Sequence, residues 1–460
     1  MKLVTRNPAT GEELEEYELV DFEEAREIVR RASEAQREWA KLSLEDRCQL
    51  LRKLADELRG SKEELARQAA LEMGKPVREG REEVEKCAFI VKYFCDRAKE
   101  FLSPEHVSDV EAEKCYIDFE PIGVILAIMP WNFPYSQVVR CAVPTLLLGN
   151  TVVLKHSTLV PGCATKLTEL FERVLPEHVF NNVLCKGSVA SQLIALPEVA
   201  GIAFTGSVET GRTIARLAGE NLKRCVLELG GSDPFIVLED APLEFTVSAC
   251  VKSRFKNTGE ACNAAKRIIV HEAIYEKFLS EFVERVSELK VGDPLDESTE
   301  IGPLASEEQL RSIERQVEES VKMGAKIEIG GKRMGECGYF YEPTVLTNVT
   351  LEMPVWKEEV FGPVAPVVKA RDEDEAIWLA NATQFGLGAS VWTSDLERGE
   401  KIARKIEAGM VFVNKVVSSD PRIPFGGIKN SGIGRELSRY GILEFANLKP
   451  ILVRSPREEK

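Results

Sequence analysis

Two α/β domains, each built on a mostly parallel sheet, are the fold class that this sequence predicts. Three observations carry the prediction. The chain has 460 residues, more than one hydrophobic core ordinarily serves. From about residue 120 to 230, short apolar runs alternate with stretches of helical period, the rhythm of βαβ units. The same rhythm restarts after Gly230-Gly231, which sets the expected boundary.

The first hundred residues read as a helical surface layer. Asp21 is an N-cap candidate, and Ala25, Ile28, Val29, Ala32 and Ala35 share one helical face. Leu50–Leu58 keeps the same period. Lys62–Met73 stops at Gly74, with Pro76 beyond it. Glu82–Phe101 continues the layer. At Cys115–Phe119 the period changes to the alternation of an exposed strand. Gly123–Met129 is continuously apolar, as for a strand buried on both faces. Thr151–Leu154, Gly201–Phe204 and Arg224–Leu229 follow as strands, with Cys163–Val174 and Glu209–Ala218 as helices between them. Beyond the glycine pair, Phe235–Leu238, Ile268–Val270, Val364–Lys369, Ala389–Trp392 and Met410–Asn414 are strand candidates. The final SPREEK reads as a frayed tail.

Composition narrows the function. Hydrophobic residues make 44% and charged residues 29%, a globular balance. The net charge of −15 repels phosphate backbones, so no nucleic acid is expected as partner. The longest apolar stretches, such as Ile122–Pro130, are far shorter than the ~20 residues of a membrane span. The N-terminal residues lack the apolar core of a secretory signal, so the expected setting is cytoplasmic, with no membrane partner. Eleven cysteines without a C-x-x-C pair and four scattered histidines suggest neither a disulfide scaffold nor a metal site.

Four segments carry chemistry. Cys262 sits in a small, polar stretch, Phe255–Arg267; most lone cysteines are only small buried hydrophobes. Glu228 ends an apolar strand just before Gly230-Gly231, where active-site residues sit in doubly wound sheets. Pro130-Trp131-Asn132-Phe133-Pro134 makes a rigid turn that aims an amide. Phe204-Thr205-Gly206-Ser207 through Gly211 reads as strand, glycine loop and helix, able to point helix N-terminal N–H groups at a pyrophosphate. Taken singly each has a bland reading: a packed loop, a solvated carboxylate, an ordinary turn.

Together these segments resemble the aldehyde dehydrogenase superfamily, over nearly the whole chain. The likeness runs from Asn7-Pro-Ala-Thr-Gly-Glu12, through Glu359-Val-Phe-Gly-Pro363, to Pro424–Glu436. Glu228 and Cys262 stand 34 residues apart, as the family pattern requires. The resemblance implies a family fold of two Rossmann-like domains plus a β oligomerisation arm. Residues 1–112 and 127–229 would form the dinucleotide-binding domain and 230–442 the catalytic domain. Residues 113–126 and 443–460 would form the arm, so a homodimer or homotetramer is expected.

It also implies roles. Cys262 would be the nucleophile, acting as thiolate. Asn132 and the Cys262 N–H would hold the oxyanion, a contribution of about 3 kcal/mol per donor. Glu228 would activate the water that hydrolyses a thioester, which favours release of free acid over transfer to coenzyme A. Lys155, with Ser157 and Thr158, would face the adenine ribose. Thr158 stands where many NAD-preferring members carry glutamate, so NADP is the expected cofactor, with NAD also possible. Met129, Pro130, Trp131, Phe204, Thr205, Gly206, Ser207, Gly211, Leu229 and Gly230 would frame the cofactor, with Glu359 and Phe361 at the nicotinamide ribose and ring.

For the aldehyde, Lys155-His156 and Ser419–Phe425 look most like the shorter bacterial succinate semialdehyde dehydrogenases. Arg140, eight residues after Asn132, and Ser419 would then hold the substrate's far carboxylate, beside Phe133. Lys256 stands where some members carry a second arginine, a departure that leaves this subsite in doubt. Broad use of glyceraldehyde, lactaldehyde or aliphatic aldehydes is the alternative. A catalytically silent binding or structural relative is a third reading, but it has no need to keep Cys262, Glu228 and Asn132 together.

Overall fold

The computed structural model describes residues 2–456; residues 457–460 of the expected tail lie outside them. Two parallel-rich sheets organise the chain, in agreement with the predicted class. The first sheet has six strands in the order Gly432–Ile433, Arg224–Glu228, Val199–Thr205, Val124–Met129, Thr151–His156 and Phe180–Asn182. Its neighbours are parallel except for the short Gly432–Ile433 strand at one edge. The second sheet has seven strands, with Ala265–His271 and Asp233–Val237 at its middle. There too a single edge pair is antiparallel, Lys326–Ile329 on Thr344–Thr347. Central strands such as Val124–Met129 and Asp233–Val237 are buried at every position, because helices cover both faces.

The helical layer begins with Phe22–Trp39, closed by a complete capping box in which Asp21 and Glu24 exchange side-chain and backbone bonds. Lys62–Met73 ends at Gly74 in the left-handed region. Val77–Leu102 is a 26-residue helix, five residues longer at its start than its periodicity suggests. It matters most for the site, because one face of it runs under the catalytic loops. None of the described helices is long and apolar enough to cross a membrane.

Three expectations are corrected. The chain does not open in helix: Lys2–Arg6 pairs antiparallel with Glu13–Glu18. That hairpin hides almost no apolar face, so its alternation is masked by charge. The segment 113–126 is not one arm strand. Lys114–Pro121 pairs with Ala446–Val453 in a separate three-stranded sheet. The chain then turns at Gly123, where φ is +134°, and Val124 already belongs to the first sheet. Asn150 fixes the turn: its Oδ1 accepts from the N–H groups of Ile122 at 2.7 Å and Gly123 at 2.9 Å. Finally, residues 230–442 do not all stay with the second sheet. Gly432 returns beside Glu228, and a side chain there would meet the Leu227 carbonyl at 2.0 Å.

Asn150 is wholly buried and also donates to the Phe445 carbonyl at 3.1 Å. Replacing it with alanine strands two buried N–H groups, so Asn150→Ala is expected to cost on the order of 2 kcal/mol or more. Urea unfolding measures this, and an unchanged midpoint would show that the carboxamide is dispensable.

Candidate active site

The nucleophile candidate lies on a strained loop between the two sheets. Residues 257–259 all have positive φ, at +53°, +56° and +76°. Gly259 is required there, since a side chain would meet the Gly362 carbonyl at 2.3 Å. Asn257 keeps its left-handed conformation because three bonds hold it. Its N–H donates to Glu79 at 2.8 Å, and its Nδ2 donates to the carbonyls of Asn132 at 3.0 Å and Glu260 at 3.1 Å. Strain of this kind persists only where surroundings over-determine it.

Asn132 is buried beside this loop. Its Nδ2 donates to the Glu260 carbonyl at 3.0 Å, and its Oδ1 accepts from Gln137 at 3.1 Å. The amide orientation is therefore fixed, and one Nδ2 hydrogen is left over for a ligand. Among the described residues no acceptor pairs with the Cys262 N–H, so both expected oxyanion donors are available. The helix after Asn132 is held by Glu83, whose Oε1 accepts from the N–H groups of Tyr135 at 2.9 Å and Ser136 at 2.8 Å. Its other oxygen pairs with buried Lys75, whose ammonium lies 4.0 Å over the Phe133 ring. Phe133 is thus a packing partner of Lys75.

The Cys262 side chain is half-buried. Burial pushes its thiol up to about 11, against the nearby cations Lys266 and Arg140. Lys266 was not anticipated. It is fully buried and donates to the carbonyls of Cys262 at 2.8 Å and Gly231 at 2.9 Å, and to Glu359 Oε1 at 2.6 Å. The Gly231 N–H donates to the same Glu359 oxygen at 3.1 Å. This explains the glycine pair physically. A side chain at Gly230 would meet Glu359 at 2.2 Å, and one at Gly231 would meet the Cys262 carbonyl at 2.7 Å.

A cavity of about 230 Å³ opens at Cys262. Pro130, Trp131, Asn132 and Gln137 form one wall. Thr205, Gly206, Ser207, Leu229 and Gly230 form another, and Glu359, Phe361 and Gln309 close it. Trp131 and Phe361 meet edge to face at 5.7 Å. Met129 and Phe204 are buried at the ends of their strands, outside the lining. Ser207 caps the helix Val208–Glu220, and Gly211 leaves space that Leu229 fills, 2.4 Å from where a side chain would begin. This wall suits a dinucleotide: a glycine approach, a helix N-terminus and an aromatic pair beside the thiol. Lys155 is half-buried at a strand end, forms no ion pair among the described residues, and lies beside the half-buried Ser157 and Thr158. His156 ties that strand to the oxyanion loop. Its Nδ1 accepts from the Ser157 N–H at 2.8 Å, so Nε2 donates to the Pro134 carbonyl at 2.8 Å. Burial holds it neutral, with its pKa down to about 4.

Three expected residues stand outside the cavity. Glu228 is buried, both carboxylate oxygens lack a partner, and burial followed by the neighbouring Glu436 holds its pKa well above the carboxylate range. Its Oε1 lies toward Gly426, where a side chain would come within 2.6 Å. Arg140 is not free at the cavity wall, as the reading of it as a substrate anchor required. It is buried, its Nε pairs with Glu436, and its guanidinium stacks 4.8 Å over Phe425. Its Nη2 is buried without a partner. Ser419 accepts from Lys86 on the helix Val77–Leu102. Lys256 is half-exposed and turned toward Glu82 at 3.7 Å.

Comparison with known proteins agrees with this geometry. The aldehyde dehydrogenase family model matches residues 1–451, and the chain belongs to that family. A succinate-semialdehyde dehydrogenase [NADP(+)] of Deinococcus radiodurans is 44% identical over 458 residues, 99% of this chain and 95% of that one. The Escherichia coli K12 succinate semialdehyde dehydrogenase [NAD(P)+] Sad is 41% identical, covering 97% of each chain. The crystal structure of succinic semialdehyde dehydrogenase from Streptococcus pyogenes, in complex with NADP+, superposes with a TM-score of 0.96 at 35% identity. It covers 98% of this chain and all of that one.

The thiol's position gives a direct test. Alkylation of Cys262 in the cofactor-free enzyme should accelerate about tenfold per pH unit from pH 7 to 9, because the thiolate fraction is still rising below a pKa of about 11. Lys266→Met should move the rise to higher pH. A plateau below pH 8 in the unaltered enzyme would contradict the burial argument.

Proposed function

We propose that the protein oxidises succinate semialdehyde to succinate with NADP, through a thioester on Cys262. The observation that carries the reading is the convergence of Cys262, two free oxyanion donors and a dinucleotide-shaped wall on one cavity. The relatives named above supply the substrate and cofactor class.

The Cys262 thiolate adds to the aldehyde carbon, and the Asn132 amide and Cys262 N–H take the oxyanion. NADP, when bound, accepts the hydride that leaves this carbon. Collapse to the thioester leaves Cys262 acylated. Glu228 then takes a proton from water as the hydroxide adds to the thioester, and the thiolate departs with release of the acid. The unpartnered oxygens of Glu228 support this role: no hydrogen bond holds the side chain back from turning to the cavity, and a raised pKa makes it a stronger base near neutral pH. Glu228→Gln should keep the first burst of reduced cofactor and lose steady turnover on the order of a hundredfold or more. A normal steady rate would remove the assignment.

Lys155 and Thr158 are read as the NADP contacts. A lysine without a counter-charge and a hydroxyl both favour a 2′-phosphate, where a carboxylate would repel it. The ratio of kcat/KM for NADP over NAD should exceed one and fall toward NAD in Thr158→Glu. A marked NAD preference in the unaltered enzyme would overturn the choice. Arg140, through the free Nη2, and Ser419 are read as contacts to the substrate carboxylate.

The setting we infer is the reducing cytoplasm, which all eleven unpaired cysteines suit. The strand Ala446–Val453 exposes Leu448, Leu452 and Val453. We read it as joining a second copy of the chain, since a bare apolar edge invites pairing. Paired Leu448→Glu and Leu452→Glu changes should lower the mass seen by light scattering; an unaltered mass would reject the arm.

A further inference from the structure

The helix Val77–Leu102 sends successive turns of one face toward the catalytic loops. Glu79 accepts from the N–H of Asn257, and Glu83 holds the start of the helix after Asn132. One turn further on, Lys86 reaches Ser419, and its ammonium donates to the hydroxyl oxygen. The segment that carries Ser419 touches the nucleophile loop, because Asn263, next to Cys262, donates to the Val417 carbonyl at 3.0 Å. Lys86 thus stands at the end of the substrate side, on an element that sequence motifs do not mark.

Its charge is uncompensated. Among the described residues no carboxylate lies within ion-pair range of Lys86. The carboxylate next to Ser419, Asp420, is taken by Arg422 at 2.8 Å. Glu83 is engaged by Lys75 and by two N–H groups. Burial, then the nearby Arg140 and Lys256, bring the Lys86 pKa down to about 8, the signature of a cation held among other cations. The donor geometry adds a second point. Because the Ser419 oxygen accepts from Lys86, its own proton is free to be given elsewhere. Arg140 contributes a third unused donor, the buried Nη2.

We propose that Lys86 is a specificity-determining residue that binds the terminal carboxylate of the aldehyde substrate, with Ser419 and Arg140 completing the anion site. The proposal rests on the reading of the substrate as an ω-carboxy aldehyde. It assigns the decisive charge to Lys86, because Arg140 is half-committed to Glu436 and Lys256 is turned outward.

Steady-state kinetics with succinate semialdehyde and with butanal, an uncharged aldehyde of the same length, test it. In Lys86→Met the ratio of kcat/KM for the two should fall on the order of 10- to 100-fold, the worth of a charged hydrogen bond. The loss should lie in KM, and Lys86→Arg should restore most of it. An unchanged ratio, or an equal loss on both aldehydes, would overturn the assignment. Succinate and glutarate, as competitive inhibitors of butanal oxidation, separate this from the substrate reading. If the unaltered enzyme does not favour succinate semialdehyde, that reading fails. Lys86 then stands only if Lys86→Met still weakens both dicarboxylates. If the unaltered enzyme does favour it and Lys86→Met keeps the preference, Lys86 alone is rejected.

Discussion

The site depends on one knot of amide hydrogen bonds between two loops from different sheets. Asn257 binds the carbonyls of Asn132 and Glu260, and Asn132 binds the same Glu260 carbonyl. Three short bonds thereby set the distance between an oxyanion donor and a nucleophile that lie 130 positions apart in the chain. The knot needs a left-handed Asn257 and a bare Gly259, which the Glu79 contact and the Gly362 backbone enforce. Preorganised donors stabilise charge because nothing has to move when it develops.

Buried charge is the second theme. Lys75 and Glu83 pair under the Asn132 loop, Lys266 and Glu359 pair behind Cys262, and Arg140 and Glu436 pair near Glu228. Buried pairs are poor sources of net stability but strong fixers of geometry, since breaking one strands a charge. Each pair here spans segments that the sheets alone do not join. They behave as locating pins: Lys266 collects the glycine pair, the cysteine loop and Glu359 at one nitrogen.

Legibility in the sequence followed locality. Strand runs and helix stops were readable because their signals sit within a few residues. Cys262, Glu228 and Asn132 were readable only as members of ordered motifs, since their own surroundings are ordinary. Lys86 and Glu83 lie in REEVEKC, which reads as the solvated face of a helix; only tertiary packing turns that face inward. Lys266 looked like a polar residue at the start of a strand. The division of 113–126 rests on a single residue, Gly123, and on an asparagine further along the chain. The N-terminal hairpin was hidden because both its faces are polar, leaving nothing for hydrophobic period to report.

His156 carries a consequence for how the molecule answers acid. Its ring bridges the Lys155 strand and the Asn132 loop only while neutral, with one nitrogen accepting and the other donating. In the unfolded chain the same imidazole takes up a proton near pH 6.5; in the fold it resists until about pH 4. Folding below pH 6.5 therefore expels a proton, and the native state loses up to about 1.4 kcal/mol for each pH unit descended through that window. Above pH 6.5 the contribution is complete. The strut that aligns the cofactor-facing strand with the oxyanion donor is thus also an acid-labile joint, and the enzyme's shelf life in mild acid is written partly in one ring.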